Sequence, residues 1–409
     1  MSATPAAVAP AGLGPESTRT PWLRFDRHEL GGGLGDSGLL IPLAVALIAL
    51  NGLSATAVFA GVGFAYIGTA LYFRVPVPVQ PLKAFAAAAI ALQLDAATLA
   101  AGALLMAAAM ALLAATGLAG WLAARFPLVL VRGIQASVAL LLTTAAIELA
   151  QRGNWGGLPA IDPVVGIAMA IGACALLLAC RRSWRLPGSL VVLAAGAAVG
   201  LIVAGPPADI ALGPQQVTLS IPDQSAFAIA LTALVIAQIP LTFGNSVVAT
   251  VDAERTYFGA RARRVRAGRL AGSIAIWNAA AGLTGGLPVC HGSGGVTAHY
   301  KLGARTAAAT LAAGTLFVAL ALALGQSLTV LLQLIAPGAL AGMLLFVAIQ
   351  HALLAARLER LDDRVLAAGV GLVTLLSGNL AIGFGAGVAA FLARRAWEAA
   401  VPRRTAEIG

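Results

Sequence analysis

Two short stretches of the chain combine helix-breaking residues with hydrogen-bond donors. Residues 75–83 read VPVPVQPLK, and residues 286–295 read GLPVCHGSGG. Proline has no amide hydrogen and forces the residue before it into an extended conformation, so neither stretch can form a continuous helix. Both interrupt long apolar runs, and extended backbone inside a membrane must be buried in protein or line a cavity. We therefore predict two helices that begin near the middle of the bilayer.

The side chains at these two breaks favour an anion as the ligand. The start of a helix presents free N–H groups and the positive end of its dipole, so two starts directed at one point form an anion site. Lys83 adds a formal charge, and a lysine at membrane depth is a candidate functional residue. Neither break contains an acidic residue, and hydrogen-bond donors suit a tetrahedral dianion. The candidate substrate-binding residues are Gln80, Lys83, Asn245, His291, Gly292, Ser293, Gly294 and Gly295.

Other residues are predicted to shape the breaks or to couple transport to an ion. The residues with a structural or gating role are Pro76, Pro78, Pro81, Pro288 and Gly244. Residues 31–38 (GGGLGDSG) and 241–246 (LTFGNS) also interrupt apolar runs with small and polar groups. Within the first of them, Asp36 is the acidic residue best placed to bind a coupling proton or to pair with Lys83. Alternatively, Asp36 caps a helix at the inner surface.

Simpler interpretations stay open for several of these residues. The breaks could be kinks whose glycines serve helix packing, His291 could be a hydrogen-bonded core histidine, and Lys83 could extend to the inner surface. Cys290 could be only a small buried side chain. An enzyme that uses Ser293 or Cys290 as nucleophile, with His291 or His299 as base, would need a third group to orient the base, and no Asp or Glu is nearby. We therefore predict no enzymatic activity, cofactor or metal.

The composition places these elements in a lipid bilayer. Of the 409 residues, 60% are hydrophobic and only 10% are charged, and the mean hydropathy is +0.91, whereas about 25% of the residues in a soluble domain are charged. The net charge of +10 lies in short loops between apolar runs without aromatic interleaving, which indicates membrane topology rather than nucleic-acid binding. The three cysteines have neither disulfide-type nor metal-type spacing.

The apolar runs predict fourteen membrane elements, arranged as two inverted repeats of seven around an outer segment without basic residues. Their predicted bounds are 34–51, 54–73, 76–92, 95–118, 125–149, 162–180, 187–205, 226–250, 268–286, 288–302, 305–326, 328–353, 362–378 and 381–399. The predicted fold class is an all-α polytopic membrane protein whose third and tenth elements are half-helices, each preceded by a short extended segment. Because the arginines then fall almost entirely on one side, both termini are predicted to be cytoplasmic. The Ala-, Gly- and Arg-rich composition favours a bacterial plasma membrane.

Five stretches of the chain resemble the molybdate transporter family that is related to the sulfate permeases. They comprise residues 29–42, 76–83, 241–245, 287–295 and 300–306. The resemblance implies a molybdate substrate, a fold like that of sulfate permeases and nucleobase symporters, a homodimer, and elevator-like movement of a core domain against a gate domain. The chain departs from the family pattern at Leu82 and Val289, where the family has methionine. The cytoplasmic regulatory domain of sulfate permeases is not expected here.

The predicted function is secondary active transport of molybdate. The domains are predicted as a disordered N-terminal tail (1–24), a core domain (25–118 and 226–326), a gate domain (119–205 and 327–400), an external linker (206–225) and a C-terminal tail (401–409). A proton is the candidate coupling ion. The residues alone do not separate molybdate from tungstate or sulfate, which have the same charge and shape. The alternatives are a transporter or channel of the same fold for sulfate or another small anion, and then a nucleobase:proton symporter.

Overall fold

The computed structural model describes residues 21–118, 121, 127–152, 161–180, 188–207 and 209–400. Residues 1–20 of the predicted N-terminal tail and the predicted C-terminal tail, 401–409, lie outside the described residues. From Trp22 onwards the chain is held in place, because the Trp22 carbonyl accepts a hydrogen bond from Ala307 N and the Trp22 ring lies 5.0 Å from the guanidinium of Arg74. The described chain is almost entirely helical, which confirms the predicted all-α class.

The first half of the chain forms eight described helices and one short strand. They are α1 (Arg27–Gly33), α2 (Ser37–Asn51), α3 (Ala55–Phe73), β1 (Gln80–Pro81), α4 (Lys83–Ala91), α5 (Ala96–Thr116), α6 (Leu128–Ala150), α7 (Pro163–Cys180) and α8 (Gly188–Ala204). Local signals set several of their ends. Ser54 caps α3 through a bond from Ala57 N, and Asp95 caps α5 through a bond from Thr98 N.

The second half of the described chain contains the other strand. Its α-helices and strand are α9 (Gln224–Ala230), α10 (Ile236–Leu241), α11 (Ala249–Phe258), α12 (Ala267–Thr284), β2 (Val289–Cys290), α13 (Ser293–Lys301), α14 (Ala308–Gln333), α15 (Pro337–Ala355), α16 (Leu361–Ser377) and α17 (Leu380–Ala400). Two π-helical segments, Leu231–Val235 and Thr242–Val248, join α9, α10 and α11 into one long element. A 3₁₀ segment, Gly259–Arg264, follows α11.

Many of these elements are long and apolar enough to cross a membrane. Within the described residues, eight helical spans meet this condition, and α1 with α2, which meet at a 43° bend, make a ninth. By contrast, α4 and α13 have nine residues each, or about 13 Å of helix, less than half of the ~30 Å hydrocarbon core. Both predicted half-helices are therefore confirmed, whereas the inverted repeat of seven plus seven elements stays a prediction.

The eighth predicted element is longer and less regular than expected. It was predicted at residues 226–250, but its helical path continues to Phe258. Pro240 lies inside α10, between the two π-helical segments, and it cannot donate to the hydrogen-bond ladder. Such widened turns are common where a proline interrupts a helix, and π-bulges are frequent at functional sites. Residues 242–246 of the LTFGNS motif therefore lie in a widened turn.

Two other predicted boundaries are wrong. The predicted division between residues 326 and 328 falls inside α14, which continues to Gln333, because residues 326–333 (QSLTVLLQ) contain no helix-breaking residue. The next helix begins at Pro337, where proline suits the first helical turn. Near the start of the chain, α1 ends at Gly33 and α2 begins at Ser37, so the first element is a bent pair that begins at Arg27 rather than at residue 34.

The helices pack in pairs that are distant in the sequence. Helix α3 packs along α14, and α5 packs along α12. The backbones of α3 and α14 touch, since a Cβ on Gly63 would lie 2.7 Å from the carbonyl oxygen of Gly314. The segment that precedes α9 is hydrogen-bonded to α14 and to the start of α3. Within it, Gly213 N donates to Ala323 O at 2.9 Å, and Gln215 N donates to Thr56 Oγ1 at 2.9 Å.

Candidate functional site

The two sequence breaks meet and form a two-stranded antiparallel sheet. Gln80 pairs with Cys290 and Pro81 with Val289, and Leu82 N donates to the carbonyl oxygen of Pro288 at 3.1 Å. Extended backbone can lie at membrane depth only if its polar groups find partners in the protein. Each break thus supplies partners for the other. The pairing also brings the starts of α4 and α13 to the same place, because each half-helix begins directly after its strand.

Asn278 holds the second strand against helix α12. Its Nδ2 donates to Val289 O at 2.6 Å, and its Oδ1 accepts from Val289 N at 3.2 Å, so its side-chain amide pairs with the backbone as a neighbouring strand would. The side chain is fully buried. Sequence reasoning missed this residue, although a single asparagine in the apolar run of α12 was a usable signal.

Gln238 holds the first half-helix. Its Oε1 accepts a hydrogen bond from Phe85 N at 3.0 Å, and its Nε2 donates to Thr242 Oγ1 at 2.9 Å. Phe85 is the third residue of α4, so this bond satisfies one of the amides that a helix start leaves unpaired. The long element that contains α10 is thereby connected to α4. Sequence reasoning did not single out Gln238 as a site residue.

Lys83, Gln80 and Asp36 form a buried polar cluster at the start of α4. Lys83 Nζ donates to Gln80 Oε1 at 2.6 Å, and Lys83 is 8% and Asp36 6% exposed. Asp36 precedes α2 and lies within electrostatic reach of Lys83 and within hydrogen-bonding reach of Gln80, although its Oδ2 has no hydrogen-bond partner among the described residues. Lys83 therefore points into the protein near Asp36 and does not extend to the inner surface.

Two glycines in the loop and first turn at α13 allow this cluster to form. A Cβ on Gly292 would collide with Gln80 Oε1 and lie 3.2 Å from Lys83 Nζ. A Cβ on Gly295 would lie 2.6 Å from Gln80 Nε2 and 2.9 Å from Asp36 Oδ2. Both glycines are thus required for close contact between the second break and the side chains of the first.

The remaining residues at the start of α13 face a more open region. A Cβ on Gly294 would meet no atom within 4 Å, and Gly294 is exposed. Ser293 Oγ donates to Asn245 Oδ1 at 3.2 Å, and both residues are partly exposed. This bond connects α13 with the widened turn at Thr242–Val248. Asn245, Ser293 and Gly294 therefore line an accessible side of the site, while the Lys83 cluster lies deeper.

His291 has partners for both ring nitrogens. Its Nδ1 bonds to Pro78 O at 2.8 Å, and its Nε2 lies 3.1 Å from Ser273 Oγ. A carbonyl can only accept, so Nδ1 carries a proton, and the neutral ring then accepts from Ser273 at Nε2. His291 is 1% exposed. His291 therefore connects the two breaks. This agrees with the interpretation of His291 as a hydrogen-bonded core histidine, which the sequence left open.

The other predicted residues lie at the strand pair or in the widened turn. Pro76 and Pro78 lead into β1, Pro81 ends it, and Pro288 precedes β2. Gly244 lies in the widened turn, where a Cβ would be 3.3 Å from a methyl group of Val131 on α6. Cys290 is buried, and its thiol donates to Pro81 O at 3.6 Å, which agrees with the simple packing role left open for it.

His351 is a further polar residue that sequence reasoning did not identify. It lies on α15, is 3% exposed, and its Nδ1 has no hydrogen-bond partner among the described residues. The charge of Lys83 reaches it electrostatically. The available signal was an ionisable residue inside the apolar run 337–355.

The chain is similar in sequence to several molybdate transporters. A protein-family model described as molybdate transporter of the MFS superfamily matches residues 28–142 and 230–350. Molybdate transporter 2 of Arabidopsis thaliana is 28% identical over 434 residues, which cover 92% of this chain and 93% of the relative. Molybdate transporter 1 of the same plant is 26% identical over 405 residues, covering 88% and 86%. Molybdate transporter 1 of Chlamydomonas reinhardtii is 32% identical over 222 residues, covering 53% and 43%.

Solved structures of anion-transporter proteins have a similar fold. The transmembrane domain of a cyanobacterium bicarbonate transporter, BicA, superposes with a TM-score of 0.64 at 17% identity, covering 88% of this chain and 98% of that one. SLC26A9 superposes with a TM-score of 0.64 at 14% identity, covering 91% of this chain and 65% of that one. At these identities the similarity concerns the fold, and it agrees with the expected fold of the sulfate permeases.

Proposed function

The chain belongs to the molybdate transporter family, and we propose that it carries molybdate across a membrane by secondary active transport, with the anion bound where α4 and α13 begin. The β1–β2 pair is the observation that carries this proposal. It brings two helix starts together at membrane depth, beside the buried ammonium group of Lys83. Free amides at helix starts and a lysine are the groups that bind a small dianion.

The donor set favours an anion over a nucleobase. Lys83, Gln80, Asn245 and Ser293 offer donors around the helix starts, and neither break contains an acidic residue that would accept from ring N–H groups. Asp36 lies next to Lys83 and therefore competes with the anion for the lysine. Protonation of Asp36 would release Lys83 for the anion, which is how a proton could be coupled to molybdate binding.

The names of the similar proteins support the same substrate class. The sequence relatives are called molybdate transporters, and the structural neighbours are described as a bicarbonate transporter and an anion transporter. Molybdate is proposed over sulfate and tungstate because of the family. We also propose that the chain is not an enzyme. In support, the hydroxyl of Ser293 donates to the side-chain oxygen of Asn245 rather than to a base.

We also propose that transport is an elevator-like movement of a core domain against a gate domain. Helices α1, α3, α5, α9, α12 and α14 pack against one another, and so do α6, α7, α8, α15, α16 and α17. We assign both half-helices to the first group. Helices α4 and α2 lie at its border, where α4 packs against α6, and α2 packs against α8 and α15. Because α14 ends at Gln333 and α15 begins at Pro337, the proposed border between the core and gate domains in the second half of the chain lies between these two residues.

The protein is an integral membrane protein, and its orientation and assembly are part of the proposal. The one-sided distribution of arginines supports cytoplasmic termini. The proposed homodimer rests on the resemblance to the molybdate transporter family that is related to the sulfate permeases. The named sequence relatives come from a plant and an alga, so they do not support the bacterial plasma membrane that the composition favours.

The test is uptake of labelled molybdate into proteoliposomes, with tungstate, sulfate and uracil as competitors. We expect accumulation of molybdate in response to a proton gradient and stronger competition by tungstate than by sulfate. Competition by uracil without movement of molybdate would contradict the assignment of the site to an oxyanion. Equal competition by sulfate would extend the substrate class beyond molybdate.

A further inference from the structure

Glu254 is a buried carboxyl group to which no described residue donates a hydrogen bond. It lies on α11 with 0% exposure, and neither side-chain oxygen has a hydrogen-bond partner among the described residues. Burial of an isolated carboxylate costs many kcal/mol, so a buried acid is normally paired or protonated. No role in the site described above accounts for Glu254.

Arg261 is the charged side chain whose field reaches Glu254. It lies in the 3₁₀ segment and donates from Nη2 to the backbone carbonyl of Arg305 at 2.8 Å. Its guanidinium carbon also lies 6.0 Å from the centre of the Phe258 ring. Arg261 thus makes other contacts and does not hydrogen-bond the Glu254 carboxylate.

The other charged groups on the elements around Glu254 lie on the 3₁₀ segment, on α11 and on α13. Besides Arg261, the 3₁₀ segment carries exposed Arg263 and partly exposed Arg264. On α11 itself, Asp252 and Arg255 are exposed. Helix α13, which packs against α11, carries buried His299 and exposed Lys301. In addition, no group of three or more His, Cys, Asp or Glu side chains in the described chain could hold a metal ion. The surroundings therefore favour a proton over a metal ion as the ligand of Glu254.

Hydrogen bonds on both sides of Glu254 connect its helix to the anion site. One turn earlier, Thr250 Oγ1 donates to Asn245 O at 3.0 Å. One turn later, the Tyr257 hydroxyl donates to Thr297 Oγ1 at 3.4 Å, and Thr297 Oγ1 in turn donates to Ser293 O at 3.0 Å. A change in the charge of Glu254 would thus act on a helix that is bonded to Asn245 and, through Thr297, to Ser293.

We propose that Glu254 is a proton-binding site of the transport cycle, additional to Asp36. The step is uptake of one proton by the carboxylate to give the neutral acid, and its release when the contact between α11 and α13 opens to water. The role of Glu254 in the transport cycle rests on the proposed transport of molybdate. The presence of a proton on its carboxyl group does not. An inside-negative membrane potential opposes the entry of a dianion. A dianion that moves together with two protons carries no net charge, so protonation of both Asp36 and Glu254 would make its entry independent of that potential.

The first experiment detects the proton itself, without transport. Infrared difference spectra of the detergent-solubilised full chain are recorded across a pH change, with Glu254→Gln, Glu254→Asp and Asp252→Asn as variants. We expect a carboxylic-acid C=O band in the wild type that Glu254→Gln lacks, and that Glu254→Asp and Asp252→Asn retain. Asp252→Asn is the matched control, because it changes an exposed acid on the same helix. An identical band in the wild type and in Glu254→Gln would overturn the proposal.

The second experiment counts protons per anion. Molybdate accumulation is measured in proteoliposomes at zero membrane potential over a series of pH gradients. We expect the slope of the logarithm of the accumulation ratio against the pH difference to fall by about one in Glu254→Gln, because one proton fewer moves with each anion. Glu254→Asp and Asp252→Asn should keep the wild-type slope. An unchanged slope in Glu254→Gln would overturn the coupling role. Absence of molybdate movement in the wild type would instead contradict the proposed function and leave the infrared result standing.

Discussion

The ammonium group of Lys83 donates a hydrogen bond to the side-chain oxygen of Gln80 at 2.6 Å, and both residues are almost fully buried. A lysine is costly at this depth unless it serves a ligand or an ion pair, and its near neighbours include Asp36 and the start of α13. Lys83 is therefore positioned and oriented before any anion enters, and this arrangement reduces the entropy that an anion loses on binding.

Lys83→Ala should nearly abolish molybdate uptake while membrane insertion stays normal. A hydrogen bond to a charged group is worth about 1.5–3 kcal/mol, so the Kd for molybdate should rise by ~10- to 100-fold. Kd is measured on purified protein, and uptake in proteoliposomes. The control is Lys301→Ala, which removes an exposed lysine at the end of the other half-helix. Uptake by Lys83→Ala at the wild-type rate would exclude this role for Lys83.

Gly295→Ala and Gly294→Ala should differ sharply, although the two glycines are adjacent. The added Cβ at position 295 would press on Gln80, Pro78 and Asp36, whereas that at position 294 would meet open space. Overpacking costs about 1–3 kcal/mol, so Gly295→Ala should weaken molybdate binding roughly tenfold or more, and Gly294→Ala, which displaces no protein atom, should weaken it much less. Titration with molybdate, followed by tryptophan fluorescence or calorimetry, measures both. Equal affinities of the two variants for molybdate would show that the close contact of Gly295 with Gln80 and Asp36 is not needed for binding.

The breaks and the half-helices could be predicted from sequence because proline and glycine act locally. Alternating Val-Pro cannot form a helix whatever surrounds it, and an apolar run shortened by such a break cannot cross the bilayer. The pairing of the two breaks could not be derived in the same way. The register of Gln80 with Cys290 depends on contacts between residues more than 200 positions apart.

The chemical roles at the site were less predictable than its position. His291 looked like a ligand by type, yet its ring nitrogens bond to Pro78 and Ser273. Gln238 and Asn278 looked like polar residues within apolar helices, and only their partners reveal that they hold the half-helix and the strand. A side chain's partner depends on tertiary packing, which the spacing of residues along one helix does not specify.

Asn278→Leu should lower the stability of the protein, while the affinity of the folded protein for molybdate should change less. The leucine is similar in size, but it leaves both Val289 N and Val289 O without their side-chain partner. Each unsatisfied buried group costs about 1–3 kcal/mol, so the Tm in detergent should fall clearly. Ile276→Ala on the same helix is the control, because Ile276 is 65% exposed. A Tm for Asn278→Leu equal to that of the control would contradict the anchoring role of Asn278.

A disulfide between α2 and α8 should stop transport if the core moves against the gate. Ser37 Oγ and Ser189 Oγ lie 3.1 Å apart across the proposed border, which is close enough for a cysteine pair to cross-link. The control is Ser137→Cys with Thr374→Cys, whose parent hydroxyls lie 2.8 Å apart within the proposed gate domain. After oxidation, molybdate uptake should cease in the Ser37→Cys and Ser189→Cys pair, return on reduction, and persist in the control. Wild-type uptake by fully cross-linked Ser37→Cys and Ser189→Cys protein would contradict the elevator-like movement, because a covalent bond at this border prevents the two domains from sliding.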